Sequence, residues 1–459
     1  MMIESRLSLW LNSDLVLLFN KGIFMKDFFP VRQRPDTVKF KKGDVLVLFG
    51  ELFSRGYANG LVEEAEAHGL KVIRATVGRR DENNQLRALN ADEIKNIPGP
   101  FINIPLEAGF DLETDSQGQT PNDYLKSVKL SDWQNIKLSE KSLSESREKG
   151  RKRLRENTLK FVNELDQMIG SSLGEGNHVH FAHLMAGGVP RAKIVLPLMN
   201  RVFKGTGDRF LASTEFWNSQ IGHLLQMNFH EVTAETFNIL ISETSAFRAK
   251  MNAQNVSVSY VAYGYHGTEI IVNGQYHWQS YAPYLQGWAK INLENYAKEW
   301  AQKGVRACVY NCPEILTNSS SIFQGVEIPL YNLIRSLVKE QPNHPTTQKV
   351  ITDCENVLKD KNLMNEIFNH VDEFIAYSEK IGTSKYENWP QHSVKEQLER
   401  ALTLSDQVIG YHKDEKQLMT AVLSELIFKS CGYIMLHDGY NPKNPVAWIG
   451  HDAVSKCLH

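Results

Sequence analysis

The chain has 459 residues, enough for a large core and two or three domains' worth of material. With 42% apolar and 23% charged residues and a formal net charge of −2, it has no charge excess that would direct it to nucleic acid or an acidic membrane surface. Five cysteines, sparse and odd in number, fit reduced thiols in a cytoplasmic protein. Cys308-x3-Cys312 lacks a second pair for zinc, and no metal is expected.

From the N-terminus, Leu7 to Phe24 is apolar but is broken by Asn12, Ser13, Asp14, Asn20 and Lys21. It neither spans a bilayer nor carries a cleavage site. Residues 1–40 read as an arm, with Met25 as an alternative start. Val45-Leu-Val-Leu-Phe49 is then a strand that runs into Gly50, followed by Gly56-Tyr57-Ala58-Asn59-Gly60 and a helical stretch to Gly69. Lys71–Thr76 is a second strand. A βαβ unit of this size suits a nucleotide: the glycines let the backbone approach a pyrophosphate, and free N–H groups at the helix start hold its charge.

Pro100–Pro105 reads as a third strand, with Asp111 soon after it. Residues 112–176 read as a polar insertion containing a charged helix, Ser142 to Gly170. Its basic run Lys149–Arg155 reads as a solvated helix face rather than a phosphate or carrier-protein patch, because glutamates flank it. His178–His183 is a buried strand ending before Ala186-Gly187-Gly188. Its alternating histidines His178, His180 and His183 read as core and turn residues rather than metal ligands. A helical region (213–252), a strand from Val256 to Ala262, a helix from Pro283 to Lys303 and a strand from Val305 to Tyr310 continue the alternation. Residues 341–425 read as a helical insertion, and Gly432–Gly439 as a last strand within a closing segment 426–459. The expected fold is α/β: a doubly wound parallel sheet of Rossmann type over 41–340, with helical insertions.

Read in order, these pieces resemble the short-chain dehydrogenase/reductase superfamily. The resemblance rests on the glycine turn, Ala186-Gly187-Gly188 after a central strand, a Tyr…Lys pair at a helix start, Pro313-x3-Thr317 and a closing Gly…Asp-Gly. The spacing Gly50-x5-Gly56-Tyr57-Ala58 is similar to the divergent branch, the enoyl-acyl-carrier-protein reductases of FabMG-like or FabV-like kind. Gly287-Trp288-Ala289-Lys290 resembles the Gly-Leu-Ala-Lys that carries that branch's catalytic lysine, and Tyr265-His266-Gly267-Thr268-Glu269 its Tyr-x-Gly-x-Glu.

The resemblance implies reduction of the trans-2 double bond of an enoyl thioester, on acyl carrier protein or coenzyme A, in fatty acid biosynthesis. Lys290 would bind the ribose and lower the pKa of a catalytic tyrosine. Tyr281, nine positions before it, is favoured over Tyr284, six before it, with Tyr276 as a third choice. Tyr265 would orient the substrate carbonyl or simply pack. Pro313 and Thr317 would lie against the nicotinamide and its phosphates. Arg79 and Arg80, at the end of the second strand, suit the 2′-phosphate of NADPH, with NADH as the alternative cofactor; the plainer reading makes them surface residues. Two rival functions remain: another NADP-dependent ketoreductase of the superfamily, or a catalytically silent nucleotide-binding protein. The oligomeric state stays open.

Overall fold

The computed structural model describes residues 28–170, 172–264, 267–279, 285–315, 325, 327–382 and 392–458. Its centre is an eight-stranded sheet, labelled here β1 (Pro30–Val31), β2 (Val45–Phe49), β3 (Lys71–Thr76), β4 (Phe101–Pro105), β5 (His178–His183), β6 (Ser257–Gly264), β7 (Arg306–Asn311) and β8 (Val446–Ile449). The strand order is β1-β8-β7-β6-β5-β2-β3-β4, and every pairing is parallel. This is the doubly wound arrangement expected from the sequence. The order reverses between β2 and β5, so the crevice beyond their C-terminal ends is where such a sheet binds its ligand.

Both faces of the sheet are covered, which is why β2 is apolar at every position rather than alternating. Leu46 and Leu48 pack into one core, while Val45, Val47 and Phe49 pack into the other. On the first face lie α1 (Tyr57–Ala67) and a long helix near the C-terminus. On the second lie α2 (Glu140–Ile169), a π-helical turn (His230–Glu235), α4 (Thr236–Glu243) and α5 (Gly287–Gln302), while α3 (Gln220–Phe229), which runs into that turn, buries Ile221, Leu224, Leu225 and Phe229 in a separate apolar cluster. Leu154, Phe161, Leu165 and Ile169 put one stripe of α2 into this second core. The helix in the segment read as a polar insertion is thus the crossover from β4 to β5, a covering layer of the sheet.

Two further differences concern the ends of the chain. Pro30–Val31, within the stretch read as an arm, pairs with Trp448–Ile449 as the sheet's edge strand. Gly432–Gly439 is not a strand: it is the last part of α6 (Met419–Gly439), and the closing strand is β8. The residues from Ser430 to His437 are buried all round, so the helical period of 3.6 leaves no polar face and the run looks like a strand of a covered sheet. By length and composition α6 could cross a membrane, but it is mostly buried in this fold. Helices Asn332–Glu340, Pro345–Val357, Leu363–Lys380 and Lys395–Gly410 precede it. A β-hairpin, Thr268–Val272 with Gln275–Gln279, extends beyond β6. It is pinned by Thr268 Oγ1 to the Ile449 carbonyl (3.0 Å) and by Arg32 bidentate on Glu269.

Candidate functional site

The glycine turn opens the crevice. Gly50 has φ 122°, a conformation other residues rarely adopt, and a Cβ there would press on Leu184 and Met185 at 3.1 Å. Around Gly56, by contrast, nothing lies within 4 Å of where a Cβ would be. The first turn of α1, holding Tyr57 and Ala58, has no side-chain cap and no acidic residue, so no anion of that turn competes for its N–H groups. The Tyr57 hydroxyl donates to the Pro313 carbonyl, and its ring stacks 5.9 Å from that of Tyr263. The loop after β2 is thereby tied to the segment after β7.

Across the crevice, Ala186, Gly187 and Gly188 follow β5, with φ 96° and 101° at the two glycines. Asn228 Nδ2 donates to the Gly188 carbonyl (2.8 Å), and Thr233 Oγ1 to that of Gly187 (3.2 Å). Asn228 lies in the last turn of α3, and Thr233 in the π-helical turn. An extra residue in a helical turn reshapes the helix locally, and such turns are frequent at functional sites. Sequence reasoning missed these supports, because residues 213–252 read as plain helix.

The cavity between the two loops has a volume of about 240 Å³, with Glu51, Phe53, Val77, Asp111, Gly188 and Val232 among its walls. Asp111 is buried there, accepting from the Arg191 backbone N–H (2.9 Å) and Asn122 Nδ2 (3.1 Å); burial pushes its carboxyl group up from the ordinary range. Glycines at both rims, an uncapped helix start and this cavity are fit features for a dinucleotide.

Both guanidiniums at the end of β3 are engaged. Arg79 is bidentate on Glu51 (2.8 Å at each nitrogen), and Glu51 also accepts from Thr76 Oγ1 (2.9 Å). Burial, the largest single influence, opposes ionisation of Glu51, but the hydrogen bonds from Arg79, Thr76 and the Val77 N–H, with the Arg79 charge, together hold the carboxyl group below its usual range. Arg80 bonds Glu107 (2.7 Å) and Glu113 (3.2 Å). The two arginines read as suited to a 2′-phosphate thus each pair with carboxylates of the chain itself.

At the other end of the crevice, Lys290 lies in the first turn of α5 and is only 3% exposed. Its Nζ donates to the Tyr263 carbonyl (2.5 Å), and burial pulls its pKa down to about 8. Pro313 and Glu314 follow β7. Glu314 is buried, one of its oxygens has no partner among the described residues, and burial pushes its pKa up to about 8. Tyr265, Tyr281, Tyr284 and Thr317 lie outside the described residues. Tyr276 sits on the hairpin, with its hydroxyl on Asp452 (2.9 Å) and the Arg32 guanidinium over its ring.

The remaining groups have structural partners. His178 bonds Ser257 and Ser259, His180 bonds Ser259, and His183 bonds Thr236, each at 2.7 Å. From the basic run, Arg151 pairs with Glu231 of the π-helical turn, and Arg153 donates to the Glu107 and Gly109 carbonyls. Glu64, His68 and His437 converge within 4.8 Å, but Val38 N–H donates to His437 Nδ1, so Nε2 carries the proton facing Glu64 and is not a free ligand.

The family profile described as enoyl-acyl carrier protein reductase FabMG matches residues 27–458. An apo structure of FabMG, described as a novel type of enoyl-acyl carrier protein reductase, is 42% identical, covering 94% of this chain and 98% of that one with a TM-score of 0.89. An NADH-bound FabMG structure is 38% identical, with the same coverage and a TM-score of 0.75. No curated protein matched the chain.

Proposed function

Since this chain belongs to the FabMG family of enoyl-acyl carrier protein reductases, we propose that it reduces the trans-2 double bond of an enoyl thioester on acyl carrier protein, with NADH as the preferred cofactor, in the crevice between β2 and β5. The enoyl reduction of fatty acid biosynthesis is the family's reaction; the cofactor preference and the residue roles are inferred here. One observation carries the preference: Glu51 already occupies the Arg79 guanidinium, and Arg80 is spent on Glu107 and Glu113. A 2′-phosphate would meet a neutralised pair beside a carboxylate, whereas a 2′-hydroxyl can donate to Glu51.

A reduced nicotinamide dinucleotide, when bound, supplies the hydride that goes to the substrate β-carbon. Its pyrophosphate would be held by the backbone between Gly50 and Ala58, its adenosine by the cavity near Asp111 and Gly188, and its ribose hydroxyls by Lys290. Tyr281, or Tyr284 in its place, donates to the thioester oxygen as negative charge develops there. Lys290 keeps that phenol acidic, which an ammonium ion does in a buried site where its field is little screened. The buried position of Lys290 at the C-terminal end of the sheet supports this role.

The test is NADH and NADPH oxidation with crotonyl-acyl carrier protein, crotonyl-coenzyme A and acetoacetyl-coenzyme A side by side. Turnover of the enoyl thioesters with NADH favoured supports the proposal. Preference for NADPH would overturn its cofactor half.

A further inference from the structure

One turn beyond Lys290 on α5 stands Glu294, and both side chains point into the protein, 3% and 6% exposed. Asn311, the last residue of β7, donates through Nδ2 to Glu294 Oε1 (2.9 Å). Asn311 is itself fixed by register: it lies opposite Gly264 on β6, and a Cβ at Gly264 would overlap its side-chain oxygen. The residue before Gly264 supplies the carbonyl that accepts from Lys290 Nζ. One helical turn is thus tied to two strand ends, through Lys290 to the Tyr263 carbonyl beside Gly264 and through Glu294 to Asn311 opposite Gly264.

A buried ammonium ion is costly without a compensating charge. Tyr263 offers Lys290 only a carbonyl dipole, and Glu294 is the acidic group on its own helix face. We propose that Glu294 is a positioning residue for Lys290: its carboxyl group, anchored by Asn311, holds Lys290 in the ammonium form at the place where cofactor and substrate oxygens arrive. This rests on the reading that Lys290 serves the reaction. Without its proton Lys290 could neither hold ribose hydroxyls as a cation nor keep a phenol acidic.

The charge relations agree with the geometry. Burial is the main influence on both groups, pulling Lys290 down to about 8 and pushing Glu294 up to about 7, and each favours the charged form of the other. Other groups near α5 are Lys298 on the same helix, Cys312 after β7, His183 on β5, and His230 and Glu235 from the π-helical turn. His183 is held neutral by burial, and Glu235 is taken up by Tyr296 and His230; Cys312 and then Glu294 favour the charged form of Lys290, and of these two Glu294 is the carboxyl group and stands one turn along the same helix.

The experiment compares wild type, Glu294→Gln, Glu294→Asp and Lys290→Met. It reads the pH profile of kcat/KM from pH 6 to 9.5 and, by calorimetry, the NADH dissociation constant over the same range. Removing the carboxylate lowers the proton affinity of Lys290, so in Glu294→Gln the alkaline limb of both profiles moves about one unit toward acid. At pH 8.5 that is roughly a tenfold loss, with little change at pH 6.5. Glu294→Asp restores most of the limb, and remains the comparison if the glutamine variant does not fold. A uniform loss across pH, or unmoved limbs in folded Glu294→Gln and Glu294→Asp, overturns the proposal. Full activity in Lys290→Met would instead overturn the reading of Lys290 itself, so the two failures are distinguishable.

Discussion

Gly60 and Gly432 bring α1 and α6 into backbone contact. A Cβ on Gly60 would overlap the Phe428 carbonyl, and one on Gly432 would overlap the backbone of Gly60 and Leu61. Crossing helices usually stand 8–10 Å apart, as their side chains dictate, and glycines allow a closer approach. Gly60 is in the first turns of the helix whose N-terminus faces the crevice. The position of that helix, and with it the loop from Gly50 to Ala58, is set by α6 from behind. Gly60→Ala or Gly432→Ala should force the pair apart, costing about 1–3 kcal/mol as overpacking does. Urea unfolding measures the loss, and calorimetry should show weaker NADH binding in whatever fraction remains folded.

If the Arg79–Glu51 pair meets the adenosine ribose as proposed, replacing one partner should change cofactor choice. Glu51→Gln leaves Arg79 with a neutral partner, so its charge becomes available to a 2′-phosphate. The ratio of kcat/KM for NADPH over NADH should rise about tenfold or more, since a charge-assisted bidentate contact is worth 1.4 kcal/mol or above. An unchanged ratio would mean that Arg79 does not meet the ribose.

Stability should peak at mildly acidic pH, for reasons of opposite sign. Burial pulls His180, His183 and His451 down to about 3 from 6.5, so the unfolded chain takes up protons first; the stability they give is intact above about 6.5 and lost as pH falls toward 3. Burial pushes Glu294 and Glu314 up from 4.5 to about 7 and about 8. Their neutral folded forms are favoured below about 4.5, and that advantage is lost as pH rises through 7 and 8. Glu314→Gln should therefore raise Tm relative to wild type at pH 8.5 and not at pH 5, as scanning calorimetry would show.

The support under the glycine loop is a separate test of the crevice. Thr233→Val removes the hydroxyl that reaches the Gly187 carbonyl while keeping the volume. Affinity for NADH should fall several-fold, with stability lowered by only about 1 kcal/mol, the usual net worth of one hydrogen bond.

Much of the fold was legible because its signals are local. Val45–Phe49, Lys71–Thr76 and His178–His183 are short apolar or β-branched runs punctuated by glycine, and the strands lie where those runs do. The end of the chain was not legible, since a helix buried on every side carries no period, and α6 was read as a strand from Gly432 onward. The glycine turn between a strand and a helix could be read through its spacing. The contacts of Glu51, Asn311 and Glu294 could not, because their partners are 28, 17 and 17 positions away and meet only through the sheet.

The most direct test of the account is turnover of crotonyl-acyl carrier protein with NADH, followed as loss of NADH absorbance, in wild type, Tyr281→Phe and Tyr284→Phe. The account predicts that one of the two variants, Tyr281→Phe first, loses on the order of 10²–10³ in kcat, the usual effect of removing one donor to a developing oxyanion. Full activity in both would contradict it.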